Sequence, residues 1–468
     1  MKRGFILSIL NSSLTYKVLL VLNILISCTI FYLFRDLGIG DEGHYLSFAE
    51  GFKHARFSHW WFLSEYYPDT FRTPGYPVFL FLLQIISSNI YFIKVVQFIL
   101  YITSVVMILN TANRYDEGYK LKNIFLFLLL PYIHVVVFSP TIEPETLMTF
   151  LLTLYIFIDS KEIKTKFKFP LLGFISGIIF LVRPVFLFFP IIIFLNDIIS
   201  KRKNFSFKYG ISMLLIYFLT ILPYGLWNYK NHHVISLTPI EGAGGVFQLG
   251  YWSFKMPGYK EERYWRNFMS NEIISFTDFR DTSKNIEAFN KEWNYIDSTC
   301  AQYLTASDSI IYKNMNVYPS FFKTYNTKYT LEREKLLRKL TIDNMKNDLF
   351  FTFKVKLFTL VRSWVTGIQK SDFENNNYFI RIRAIYFSGV SGLLFFASLI
   401  LIPFAFIKRK LAWKNTSTIL ILLIYYGLIH LPFAIQARYT IPLRLVLLFI
   451  LSQAISVIFF NKRTAQNN

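Results

Sequence analysis

Cysteine is scarce in this chain: Cys28 and Cys300 are the only two among 468 residues. Cys28 falls in the first apolar run and Cys300 in a polar region, so the two are not expected to pair. Neither a disulfide framework nor a Cys-x-x-Cys metal pattern exists. Acids are also few, with 29 Asp and Glu against 50 Lys and Arg, a net charge of +21. In a soluble protein that balance points to nucleic acid. Here the basic residues flank long apolar runs, where they set membrane topology, and no nucleic-acid partner is expected. Short alternating strands are missing, which excludes a membrane β-barrel. The stretch "MKRGFILSILNSSLTYKVLL" lacks a small-residue cleavage site, so it does not read as a cleaved signal. Internal repeats and low-complexity tracts are missing too.

What the chain has is apolar and aromatic residues. They make up 53% and 19% of it, more than a soluble domain of this length carries. Several runs reach the roughly 20 apolar residues that span a bilayer. The expected class is an all-α polytopic membrane protein. The bias toward Phe, Ile, Lys and Asn suggests an AT-rich bacterial genome, and hence a bacterial cell membrane.

Charge sets the expected topology. Lys2, Arg3 and Lys17 precede a first span at 15–35 and place the N-terminus in the cytoplasm. The apolar run in 75–88 is short for a span. If it does not cross, five basic clusters fall on the cytoplasmic side: Arg114/Lys120/Lys122, Lys161/Lys164/Lys166/Lys168, Lys201/Arg202/Lys203/Lys208, Lys408/Arg409/Lys410/Lys414 and Lys462/Arg463. It is therefore read as interfacial or re-entrant. The other spans are expected at 90–111, 122–140, 144–160, 169–183, 184–199, 208–226, 384–407, 416–435 and 439–460. That makes about ten crossings, with both termini inside. The chain divides into an N-terminal transmembrane module at 1–226, carrying the first external loop at 36–88, an external region at 227–383 and C-terminal spans at 384–468. The external region is expected to be mainly α or α/β and to end in an interfacial helix near 346–366.

Under this topology Asp41, Glu42, Arg72, Glu143, Glu145, Arg183, Arg438 and Arg444 share one depth, at the external ends of spans. Ionisable residues near the membrane are functional candidates. Arginine forks suit phosphate oxygens, and a carboxylate among them can act as a general base. Each residue also has a plainer explanation. Arginines at span ends snorkel to headgroups, and acids at 41–42 and 143–145 suit the first turn of a helix. His232–His233 reads as a solvated pair rather than a metal site, and His44 as a residue without a metal role. The Gly-rich stretch 242–250 lacks the strand-then-helix context of a nucleotide loop.

"DEGHY", with "RTPGYPVFLFLL" some thirty residues later, resembles the GT-C superfamily of polytopic glycosyltransferases. It is most similar to bacterial members of the dolichyl-phosphate-mannose–protein mannosyltransferase and lipid A aminoarabinose transferase group. "SPTIEPETLMTFLL", "GFISGIIFLVRPVFLFFP", "LPYGLWNYKNHHVISLTPIEGAGGVFQLG" and "ARYTIPL" resemble further motifs of the group, in order. The resemblance implies inverting transfer of a monosaccharide from polyprenyl (undecaprenyl) phosphate to a lipid, glycan or protein acceptor, on the periplasmic or extracellular face. It implies Asp41 as general base with Glu42 beside it. Arg72, Arg183 and Arg438 would bind the donor phosphate, and Glu143 or Glu145 an acceptor or cation. A divalent cation is the one cofactor it leaves open, because metal dependence varies within the superfamily. Membrane lipids are the surrounding partners. A lipid-linked sugar transporter or flippase and a polysaccharide polymerase are the competing expectations.

Overall fold

A computed structural model describes residues 2–36, 38, 41–200, 206–252, 255, 282–304, 326–365, 376–408, 411, 413–433 and 437–460. The basic residues Lys201, Arg202, Lys203, Arg409, Lys410, Lys462 and Arg463 lie outside them, as does most of the aromatic stretch 251–265. The described residues fold into helices without a strand. In chain order these are α1 (Lys2–Asn11), α2 (Ser13–Phe34), α3 (Glu42–Lys53), α4 (Gly75–Ile86), α5 (Ile90–Ala112), α6 (Lys120–Leu129), α7 (Pro144–Ser160), α8 (Thr165–Val182), α9 (Phe189–Ile199), α10 (Phe207–His232), α11 (Ala243–Trp252), α12 (Thr282–Ala301), α13 (Thr327–Asn347), α14 (Leu349–Trp364), α15 (Tyr378–Ile407), α16 (Trp413–Ile429) and α17 (Ile441–Ile455). Side-chain caps start several of them. The Ser12 hydroxyl accepts the Thr15 N–H at 3.3 Å, and Asn89 caps α5 through the Tyr91 N–H at 2.8 Å.

Six helices are long and apolar enough to cross a membrane: Ser13–Phe34, Ile90–Ala112, Thr165–Val182, Phe207–His232, Tyr378–Ile407 and Arg438–Phe460. The chain is a helical membrane protein on that ground. The sequence suggested about ten crossings, and the difference has a local cause. The stretches at 122–140, 144–160, 184–199 and 416–435 contain α6, α7, α9 and α16, helices of 10 to 17 residues. At 1.5 Å per residue these reach about 15 to 25 Å, less than a hydrocarbon core of roughly 30 Å. Proline is the main breaker. Pro184 ends α8 by forcing Arg183 into extended backbone (φ −141°), and Pro144 does the same to Glu143 (φ −138°). α4, with 12 residues, is likewise too short to cross unaided.

α17 forms the centre of the bundle. Leu443, Leu445, Val446, Phe449, Ile450 and Leu451 are fully buried, as suits a helix apolar on every side. A second core joins α11, α12 and α13 through Trp252, Phe289, Trp293, Ile296 and Leu337. The described part of the external region is thus helical. α14 leaves Leu349, Phe350, Phe353 and Leu357 exposed along its apolar side. Cys28 and Cys300 are both free thiols.

Candidate active site

The candidate residues sit where helices break. Asp41 precedes the first residue of α3, and Arg72 lies in the loop before α4. Glu143 immediately precedes α7, and Glu145 lies in its first turn. Arg183 ends α8, and Arg438 lies in the short turn before α17. Helix ends are where a chain can turn a charged side chain inward without leaving backbone groups unpaired in the ladder.

The six meet at one cavity of about 390 Å³, a size that suits a small ligand. One carboxylate oxygen of Asp41 lies 3.0 Å from the Arg72 guanidinium and 3.4 Å from that of Arg438. Arg438 reaches on to Glu143 at 2.7 Å. Glu143 in turn accepts the backbone N–H of Asp41 at 2.9 Å, which fixes the start of α3 against the start of α7. Arg183 pairs with Glu145 at 2.5 Å. The Tyr439 ring lies 5.2 Å from the Arg183 guanidinium and 5.9 Å from that of Arg438. Sequence reasoning missed Tyr439 as a member of the site, although it follows Arg438 directly in "ARYTIPL".

Arg72 is held from several sides. Its backbone N–H donates to Asp69 at 2.5 Å, and its carbonyl accepts from the Tyr224 hydroxyl at 3.1 Å. Its guanidinium donates to the Tyr45 hydroxyl at 3.3 Å. The loop carrying Glu143 is tied down by Gln97, whose amide donates to the Thr141 carbonyl at 2.7 Å.

These contacts split the acids electrostatically. Burial works to raise the Asp41 carboxyl, but Arg72 and Arg438 outweigh it and hold the group below its ordinary value. Burial, reinforced by the Glu145 carboxylate, pushes Glu143 above its ordinary range despite Arg438. Arg72 and Arg438 thus hold Asp41 toward its charged form, while buried Glu143 is pushed toward its protonated one. Among the described residues, buried atoms of three lining side chains have no hydrogen-bond partner: Nε of Arg183, Nε of Arg438 and Oε2 of Glu145. Native proteins rarely leave such groups unsatisfied, and a polar ligand would satisfy them. The lining also carries apolar side chains, Val182, Val185, Leu187, Phe188, Ile429 and Phe433.

Other candidates fall elsewhere. Glu42 does not line the cavity, because adjacent helix positions point about 100° apart. Its Oε2 is buried and has no hydrogen-bond partner among the described residues. Arg444 is fully buried and bonds to Thr440 and to the Tyr132 hydroxyl, at 3.3 and 3.1 Å. It braces α17 and does not line the cavity. His232, read as solvated, is buried instead. Its ring nitrogens lie 3.1 Å from the Asp69 carbonyl and 3.2 Å from the Thr327 hydroxyl, joining α10 to the first external loop and to α13. His44 stacks on His59 at 5.5 Å. Among the described residues, no group of three or more His, Cys, Asp and Glu side chains is placed to hold a metal ion. Asp41, Glu143 and Glu145 are each paired with an arginine, which leaves Glu241 as a lone acid in the cavity, so the residues present do not fit a divalent cation.

The Gly-rich stretch 242–250 contains the start of α11. Its N-terminal amides are taken by the Glu334 carboxylate, which accepts from Gly242 at 3.0 Å and from Gly244 at 2.5 Å. An internal acid thus fills the place that a phosphate takes in a nucleotide loop. No family model, curated protein or solved structure matches this chain.

Proposed function

We propose that the chain is an inverting glycosyltransferase of GT-C type. It moves a monosaccharide from polyprenyl phosphate to a hydroxyl of a lipid, glycan or protein acceptor, at the outer face of a bacterial cell membrane. The observation that carries the reading is the convergence of Asp41, Arg72, Arg183 and Arg438 on one cavity that also carries apolar side chains. Those side chains suit a hydrocarbon carrier, and the guanidiniums suit its phosphate. In the proposed step the acceptor oxygen attacks the anomeric carbon from the face opposite the phosphate. The bond from that carbon to the phosphate oxygen breaks, and its electron pair stays on the phosphate. The acceptor proton passes to Asp41. The leaving phosphate gains charge in the transition state, where fixed guanidiniums stabilise it most.

Asp41 is a weak base while Arg72 and Arg438 both hold it. A donor phosphate competes for the same guanidiniums, and each one it draws away raises the basicity of Asp41. Binding and base activation are therefore coupled. Glu143 and Glu145 keep Arg438 and Arg183 in place for the exchange. In this reading α6, α7, α9 and α16 belong to the remaining crossings, and both termini face the cytoplasm.

The test is transfer from undecaprenyl phosphate–linked sugars by the purified protein, with the anomeric configuration of the product read by NMR. Inverted product is expected from the wild type. Asp41→Asn is expected to cut the rate by about a hundredfold or more, with insertion and expression unchanged. Wild-type rates from that variant would remove Asp41 as the base. Translocation of the lipid-linked sugar without transfer would replace this reading with a transport one.

A further inference from the structure

Glu241 lines the same cavity as Asp41 and the three arginines, yet it comes from the external region. Its placement is fixed from both sides. The backbone N–H groups of Ile240 and Glu241 both donate to the Thr70 carbonyl at 2.9 Å. The Thr70 hydroxyl donates to Oε2 of Glu241 at 2.6 Å. Gly242 follows with φ +99°, a conformation that suits glycine, and a Cβ there would come within 2.3 Å of the Phe71 ring. Thr70 lies two positions before Arg72, so one short loop places both the phosphate-facing guanidinium and this carboxyl.

Glu241 differs from the acids on the arginine side. Asp41, Glu143 and Glu145 each accept an arginine within 3.4 Å. Glu241 has no such ion pair among the described residues, and its Oε1 accepts no hydrogen bond there. With the arginine side matched to phosphate and the apolar lining to hydrocarbon, a carboxyl with one free edge suits the hydroxyls of a sugar ring. We propose that Glu241, positioned by Thr70, is the group that reads a sugar hydroxyl in this cavity. The inference rests on the glycosyltransferase reading. Burial pushes Glu241 up to about 7, with Glu334 of α13 and Asp69 of the first external loop adding to this against the Thr70 hydrogen bond and Arg333, so a neutral, hydrogen-donating form is populated near neutral pH. Arg338 of α13 also lines the cavity, paired loosely with Glu334 at 3.7 Å.

The test uses the full-length protein in detergent with two probes: undecaprenyl phosphate without a sugar, and a panel of methyl hexo- and pentopyranosides. The readout is thermal stabilisation as a function of probe concentration. At least one glycoside is expected to stabilise the wild type. Glu241→Ala and Thr70→Val are expected to raise its midpoint about tenfold, the loss of one good hydrogen bond. Glu241→Gln, which keeps a donor and an acceptor, is expected to stay within about threefold. The undecaprenyl phosphate midpoint is expected to hold in all three. In the transfer assay, a raised donor KM alone assigns the sugar to the donor, and a raised acceptor KM alone assigns it to the acceptor. The proposal is overturned if no glycoside stabilises the wild type, or if Glu241→Ala responds as the wild type does. It is also overturned if the undecaprenyl phosphate response falls in parallel, because the substitution then disturbs the whole cavity. A wild type that binds glycosides but transfers none removes the reaction and leaves the sugar site standing.

Discussion

Arg438 is the residue on which the charge network turns. Among the described residues it alone forms ion pairs with both Asp41 and Glu143, so it joins α3, α7 and the turn before α17. Lysine cannot replace it, because a point charge does not bridge two carboxylates as a planar fork does. Arg438→Lys and Arg438→Ala are both expected to lower transfer by about a hundredfold or more. The alanine variant also leaves buried Glu143 without its hydrogen-bond partner, at a cost of about 1–3 kcal/mol, which differential scanning would register as a lower Tm. A pH profile isolates the electrostatic part. As the proposed base, Asp41 can act only when deprotonated, and Arg438 helps hold its pKa down. Removing Arg438 raises that pKa, so the acid limb of kcat is expected to move to higher pH. An unmoved limb would show that Arg438 does not act on the base.

At the scale of elements, the site depends on how closely α4 and α8 approach. Gly75 opens α4, and a Cβ on it would come within 2.5 Å of the Leu181 backbone in the last turn of α8. Arg72 lies three residues before Gly75, and Arg183 two residues after Leu181. Gly75→Ala is therefore expected to cost about 1–3 kcal/mol by overpacking. It should also lower transfer by spreading the two arginines, while Ala at exposed Gly43, where nothing lies within 4 Å, should do neither. Tm and rate measured on both variants check this. Much of the site was legible because its residues carry local signals. Arg183 stands before Pro184, Glu143 before Pro144, and Asp41 at a helix start, so charge and helix breakers coincide in the sequence. Glu241 and Tyr439 carry no such signal. Their roles come from Thr70, 171 positions away from Glu241 in the chain, and from arginines of other elements. Six of the expected crossings are long apolar helices, while hydropathy marked the other runs without showing the turns that keep α6 and α9 short.

At the scale of the whole molecule, three of the long helices have one end at the cavity. α8 starts at Thr165 beside Lys164, Lys166 and Lys168, and ends at Arg183 in the cavity. Its 18 residues rise about 27 Å, close to the thickness of a hydrocarbon core. α10 starts beside Lys208 and ends at His232, bonded to the loop that holds Arg72. α17 starts next to Arg438 and runs the opposite way. α8 and α10 thus run from lysines toward the cavity, and α17 leads away from it. If α8 crosses once, Lys166 and Ile235 must be reachable from opposite faces. Both are exposed, Ile235 at 89% in the segment leading to the cavity. Lys166→Cys and Ile235→Cys, each in a Cys28→Ser, Cys300→Ser background, provide the test with a membrane-impermeant maleimide. Ile235→Cys is expected to label in intact cells, and Lys166→Cys only after the membrane is opened. Labelling of both from outside would mean that α8 does not span, and the shared depth of the charged residues would then lose its basis. Labelling in the reverse order would put the cavity in the cytoplasm, where a general base at Asp41 would meet a different set of acceptors.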